Sequence, residues 1–272
     1  MDTRNEVKDA AARGWQLVWS DEFDRAGLPD PARWGYEEGF VRNEEAQYYT
    51  RGRLENARIE NSLLIIEARR EPFRNPLHQP DSDDWRLSRA SATCTSASIS
   101  TQHKASWTYG RFEVRAQLPR GRGVWPAAWM LGTNIETVNW PRCGEIDIME
   151  YVGYQPDTIH ATMHAAEFDA PHRVHMGSNT IVPAPYDAFH VYAIEWDHER
   201  IACFVDDRLY YTFVNDGKGE DSWPFDAPQY LILNLAIGGG WGGREGIDDA
   251  IFPQRYLVDY VRVYQRKAST TL

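Results

Sequence analysis

The chain has 272 residues, of which 42% are hydrophobic and 25% charged, with a formal net charge of −11. That balance fits a globular domain with one large core or two modest ones; it excludes wholesale disorder, and it argues against a nucleic-acid partner, which needs a basic stripe. Eleven Trp, 14 Tyr and 10 Phe exceed what a core alone requires, so part of the aromatic set is expected to line a surface that ligands touch.

Residues 1–14, MDTRNEVKDAAARG, suggest a helix over the first 13 or so positions. They lack the apolar h-region of a signal peptide, so none is expected there. From there the chain reads as short strands with period-2 alternation, separated by Gly, Pro, Asn and Asp clusters. SLLIIEAR from Ser62 is the first clear strand, and the Pro- and Asp-rich stretch EPFRNPLHQPDSDDW at 71–85 reads as an excursion loop. In RFEVRAQL, Phe112, Val114, Ala116 and Leu118 share one face, and Arg111, Glu113, Arg115 and Gln117 take the other.

In VWPAAWML, alternation puts Trp125, Ala127 and Trp129 together, with the small Ala127 leaving room between two rings; Pro126 cannot donate a ladder bond and implies an edge or irregularity. IHATMH sets His160, Thr162 and His164 on one strand face. It has the His spacing of a helical metal site but no glutamate for a zincin. His172 and His175 read as loop residues. Further strands follow in HVYAIEW from His190, IACFVDD from Ile201, RLYYTFV from Arg208, YLILNLAI from Tyr230 and YLVDYVRVYQ from Tyr256.

Many evenly spaced strands without intervening helical patterns indicate a β-sandwich or barrel rather than a βαβ sheet. The simplest division is one domain over 14–267, with tails at 1–13 and 268–272. GGGWGG at 238–243 lacks the GK[ST] ending of a phosphate loop, which leaves a kink that projects Trp241, or a plain turn. The cysteines Cys94, Cys143 and Cys203 are odd in number with no CxxC spacing, so buried free thiols are expected. No run of about 18 apolar residues exists to span a membrane.

CGEIDIMEYVG at 143–153 crowds three carboxylates into six positions. On a helix they would point apart. On a strand Glu145 and Asp147 share a face, with Ile146 and Ile148 on the other, and Glu150 falls on the wrong side. A β-bulge at or near Met149 resets the alternation and returns Glu150 to its partners. Four effective strand steps span roughly 13 Å, and two Glu side chains leaning inward leave roughly 5 Å between carboxyl groups. That is the separation of a retaining glycosidase rather than an inverting one. The alternative is a solvent-facing strand with chance acidic residues.

GEIDIMEYVG resembles the active-site signature of glycoside hydrolase family 16, in the bulged E-x-D-x-x-E form of its laminarinases. WSDEFD at 19–24, NEEAQYYT at 43–50, YGRFEVRAQLP at 109–119, GVWPAAWML at 123–131, IHATMH at 159–164, LNLAIGGGWGG at 233–243 and DYVRVYQ at 259–265 fall in the family's order. The resemblance implies an all-β jelly-roll sandwich of two curved antiparallel sheets, the concanavalin A-like lectin/glucanase fold, with a concave substrate cleft. It implies Glu145 as nucleophile, Glu150 as general acid/base and Asp147 as their electrostatic helper.

It also implies that Asn43, Trp125, Trp129, His164 and Trp241 bind the sugar chain, with His164 near the acid/base. Glu44 and Ala46 depart from the family's usual residues beside Asn43. A structural calcium is implied, held by Asp259 and by backbone carbonyls near Glu22 and Asn61, where Asn61 replaces the usual Gly, and no cofactor is expected for catalysis. The expected protein is a secreted or periplasmic monomer, a retaining endo-β-1,3-glucanase acting on laminarin-type or mixed 1,3-1,4 glucans. Its rivals are an agarase- or carrageenase-like galactan hydrolase and a non-catalytic β-glucan-binding protein.

Overall fold

The computed structural model describes residues 11, 13–169 and 176–266. Most of both expected tails, with the helix suggested for the first, and the loop histidines His172 and His175 lie outside the described residues. The strands in chain order are β1 (Trp15–Asp21), β2 (Gly35–Glu37), β3 (Gln47–Tyr49), β4 (Ala57–Glu60), β5 (Leu63–Arg74), β6 (Ser91–Ser96), β7 (Ser98–Ser100), β8 (Gly110–Gln117), β9 (Val124–Gly132), β10 (Glu145–Glu150), β11 (Thr158–His164), β12 (Gly177–Ile181), β13 (His190–Trp196), β14 (Arg200–Val205), β15 (Arg208–Val214), β16 (Gln229–Ile237) and β17 (Gln254–Arg266).

They form two sheets. The smaller runs β12-β11-β10-β9-β16-β7-β2, and the larger runs β15-β14-β13-β8-β17-β5-β6-β3, with β1 on β17 and β4 on β5. Pairing is antiparallel except between β3 and β6. This is the jelly-roll sandwich expected, with the cleft on the smaller sheet.

Alternation explains how the sheets meet. Phe112, Val114 and Ala116 of β8, Val261 and Val263 of β17, and Leu231, Leu233, Leu235 and Ile237 of β16 fill one shared core. The opposite face of β16 is no less structured: Tyr230 and Ile232 join a second apolar cluster with Ala127, Trp129, Leu131 and Cys143, and Tyr230 and Asn234 line a cleft. A strand covered on both faces reads as the near-continuous apolar run seen in its sequence. The charged face of β8 is also enclosed. Arg111 is buried and meets Glu113 at 2.7 Å and Glu195 at 3.1 Å.

One expectation changes and two become specific. The loop expected from residue 71 begins later, because Glu71–Arg74 continue β5, and Pro72 is tolerated where the register with β6 shifts between Arg70 and Phe73. Pro126 lies in a central strand, so of the edge or irregularity expected there it marks the irregularity. Its carbonyl accepts from the Tyr151 amide at 3.3 Å, beyond the last β10 pair at Glu150 and Ala127, so its missing N–H falls where the neighbouring strand has ended. The glycine-rich run forms a helical turn, Gly239–Gly242. The three cysteines are buried free thiols, and no described helix is long and apolar enough to cross a membrane.

Candidate active site

β10 sits between β9 and β11, and its register slips on both sides. Asp147 pairs with Trp129 but Met149 with the adjacent Ala128; on the other flank Asp147 pairs with Thr162 and Glu150 with His160. One extra residue is therefore accommodated between Asp147 and Met149. Ile146, Ile148 and Met149 all enter the core, and Glu145, Asp147 and Glu150 all face the cleft. The energetics favour this arrangement. A lost ladder hydrogen bond costs about 0.5–1.5 kcal/mol, whereas an unbulged strand would drive Glu150 into the apolar core at a cost of several kcal/mol for an ionised carboxylate. It would also expose Met149, forfeiting about 1.5–3 kcal/mol of burial.

The entry to β10 is fixed by close packing. A Cβ at Gly132 would lie 2.0 Å from the Cys143 carbonyl oxygen, and the Gly132 amide donates to Gly144 O at 3.1 Å. Only glycine allows the end of β9 to approach so closely.

The cleft holds about 940 Å³, and Asn43, Trp125, Trp129, His164 and Trp241 line it with the three carboxylates. Each end of the carboxylate row has an indole donor. Trp125 Nε1 donates to Glu150 Oε1 at 3.0 Å, and Trp140 Nε1 donates to Glu145 Oε2 at 2.8 Å. The ring of Trp241 stands edge-on to Trp125 at 5.5 Å and to His160 at 5.0 Å. Trp129 offers less surface than strand alternation implies: it is only 6% exposed, the guanidinium of Arg42 lies 4.8 Å over its ring, and its Nε1 donates to Asn234 Oδ1 at 2.8 Å.

His164 lines the cleft as expected, and its charge acts on Glu150, but its strand partner is the other glutamate. It pairs with Glu145 across the strands, and its Nε2 lies 3.9 Å from Glu145 Oε1 and 3.3 Å from Asp147 Oδ2. The histidine opposite Glu150 is His160, whose Nε2 lies 3.1 Å from Gln155 Oε1.

Burial raises the proton affinity of all three carboxyl groups, and the next influence differs between the two ends. For Glu145 it is the charge of His164, which favours the anion. For Glu150 it is the negative charge of Asp147, which favours the acid and raises the group further. Asp147, 1% exposed, is raised by burial and then by the charge of Glu145, with His164 opposing.

Behind the cleft, Glu45 is a buried carboxyl that sequence reasoning passed over. It accepts from Gln47 Nε2 at 2.7 Å and from Asn43 Nδ2 and Tyr49 Oη at 3.2 Å. The Tyr49 hydroxyl accepts in turn from Asn234 Nδ2 at 3.0 Å, which links Asn43 to Trp129 through one hydrogen-bonded relay. Trp140 and His160 were also missed as site residues. The only signal for Trp140 was its position five residues before Glu145, and His160 was read only for its strand face.

The positions expected around calcium lie at the larger sheet, away from the cleft. Glu22 accepts from Arg262 Nε at 2.9 Å and Nη2 at 2.8 Å, and Asp259 is paired with Arg115. Asn61 sits in the turn between β4 and β5 at φ +54°. Asp259, the one side chain expected as a ligand, is committed to a guanidinium group, so calcium would have to displace Arg115 to use it; the Glu22 pairing leaves the backbone carbonyls expected near Glu22 and Asn61 untouched, and no catalytic step involves calcium.

A jelly roll whose cleft presents three carboxyl groups between indole rings has the make-up of a glycoside hydrolase. The chain belongs to glycosyl hydrolases family 16, whose model matches residues 48–262. It is similar to the β-glucanase of Rhodothermus marinus, at 49% identity over 260 residues, covering 92% of this chain and 85% of that protein. Among solved structures it is similar to the laminarinase from Rhodothermus marinus, with a TM-score of 0.82 at 49% identity, covering 92% of this chain and 97% of that one. It is also similar to a non-specific endo-β-1,3(4)-glucanase, with a TM-score of 0.82 at 44% identity, covering 93% and 92%.

Proposed function

We propose that this protein is a retaining endo-β-glucanase that hydrolyses β-1,3-glucosidic linkages in laminarin-type glucans, and also mixed 1,3-1,4 glucans. The observation that carries the reading is the bulge in β10, which turns Glu150 onto the face that holds Glu145 and Asp147. Glu145, favoured as the anion by His164 and the Trp140 N–H, attacks the anomeric carbon. Glu150, held as the acid by burial and the charge of Asp147, protonates the departing glycosidic oxygen as its bond breaks. Water then gives a proton to Glu150 and attacks the glycosyl ester, which releases Glu145 and retains the anomeric configuration. The similarity to a non-specific endo-β-1,3(4)-glucanase supports the mixed-linkage part.

The reading is tested by a reducing-sugar assay on laminarin, lichenan, agarose and carrageenan with product sizing. Oligosaccharides released from laminarin and lichenan are expected. Release from the galactans alone, or binding without release, contradicts it.

A further inference from the structure

We propose that Glu145, Asp147 and His164 form a binding site for a single transition-metal dication, with zinc(II) as the best match, and that its occupancy blocks hydrolysis. Their ligand atoms all lie within 4.8 Å of one another, and among the described residues no other group of His, Cys, Asp or Glu side chains has that spacing. Zinc binds imidazole nitrogen and carboxylate oxygen at about 2.0–2.2 Å, so two ligands of one tetrahedron stand about 3.3–3.5 Å apart. His164 Nε2 and Asp147 Oδ2 already stand 3.3 Å apart. Glu145 Oε1, 3.9 Å from the same nitrogen, needs to close by roughly 0.5 Å to meet the same geometry.

The strands hold this spacing, because Glu145 pairs with His164 and Asp147 with Thr162 in adjacent positions of one ladder. A second observation points to a ligand. Asp147 Oδ2 is buried and faces His164 Nε2 at 3.3 Å, but no described donor meets it in full hydrogen-bond geometry. Two carboxylates and a neutral imidazole carry a charge of −2, which a dication cancels in a site where ionised carboxyls are otherwise costly. The donor set suits zinc rather than calcium or magnesium, which prefer six or more oxygen ligands including water. Glu145 and His164 are partly exposed to the cleft, which gives the ion a way in.

The inhibition rests on the role proposed for Glu145, but the binding does not, so the two are measured separately. Zinc chloride is titrated calorimetrically into the substrate-free full chain at one near-neutral pH, with His164→Gln and Glu145→Gln titrated alongside and their folding checked by circular dichroism. Cobalt(II) serves as a visible-absorption probe of four-coordination. The wild type is expected to bind one ion whose affinity falls at least about tenfold in each folded variant, and zinc is expected to inhibit laminarin hydrolysis competitively. Unchanged affinity in either folded variant, or no binding at millimolar zinc, overturns the site. Binding that falls in the variants as expected but leaves wild-type hydrolysis untouched overturns the inhibition, together with the role given to Glu145.

Discussion

Asp147 and Glu67 are equally buried, each 1% exposed, and they differ in chemistry because they differ in neighbours. Glu67, on β5 in the larger sheet, meets Arg58 at 2.9 Å, Arg69 at 2.5 Å and Arg255 at 2.9 Å. Burial pushes its carboxyl up, but the hydrogen bonds and charges of Arg58 and Arg255 outweigh that and hold it below the usual range. Asp147, on β10 in the smaller sheet, has carboxyl groups on either side along its strand, and both burial and the charge of Glu145 push it up. A buried carboxylate among guanidinium groups is a fixed charge that ties strands together. A buried carboxyl among other carboxyls holds its proton toward neutral pH and can exchange it.

These buried carboxyl groups therefore respond to pH with opposite signs. Glu67, lowered in the folded state, contributes stability above the unfolded glutamate value of about 4.3, and that contribution is lost as pH falls through its folded value. Asp147 and Glu150, raised in the folded state, contribute fully below their unfolded values, and the contribution is lost as pH rises through the folded ones.

The strongest way to break this comparison is to remove the cleft carboxyls. Glu145→Gln and Glu150→Gln are each expected to lower kcat at least about 10³-fold with the fold intact by circular dichroism. The Tm of Glu150→Gln is expected to gain on the wild type as pH rises above about 4.3. Near-wild-type activity, or a Glu150→Gln Tm that falls relative to the wild type as pH rises, would show that these carboxyls are structural.

A finer test is Trp125→Phe, which removes the N–H donated to Glu150. Hydrogen bonds to charged groups are worth about 1.5–3 kcal/mol, so a fall of about tenfold in kcat is expected. Because that bond favours the ionised form, its loss should move the basic limb of the pH–rate profile upward; a downward move contradicts the assignment. The smallest effect on activity is expected from Glu67→Gln. It should cost about 2 kcal/mol of stability at neutral pH, with the loss shrinking in acid, and leave kcat per folded molecule within about twofold of the wild type. A larger fall in kcat would tie the two sheets together in function.

The carboxylate face was legible because strand alternation failed in one place, at Glu150, and a single bulge was the cheapest repair. The sandwich was legible for a similar reason, since period-2 runs such as RFEVRAQL and YLILNLAI carry their burial in their spacing. What stayed hidden depends on pairing between distant segments. Nothing local to His160 or His164 says which carboxylate each will face, because that is set by the register of β11 on β10 after the bulge. The arginines that take up Glu22 and Asp259, Arg262 and Arg115, come from other strands or distant positions, so a ligand pattern matched in sequence did not reveal their guanidinium partners. The relay from Glu45 to Trp129 likewise joins residues as far apart as 49 and 234. Pro72 was misread for a local reason: Pro and Gly mark breaks in regular pairing without saying whether a bulge, a strand end or a turn absorbs them.

The central claim is that Glu145 and Glu150, brought to one face by the bulge, divide the work of nucleophile and acid/base. It is tested most directly by incubating the protein with an activated 2-deoxy-2-fluoro laminarioligosaccharide and identifying the labelled peptide by mass spectrometry. The account predicts a stable fluoroglycosyl ester on Glu145, in a protein whose first product from ordinary substrate has retained configuration by NMR. An ester on Glu150, or an inverted first product with no adduct, would contradict it.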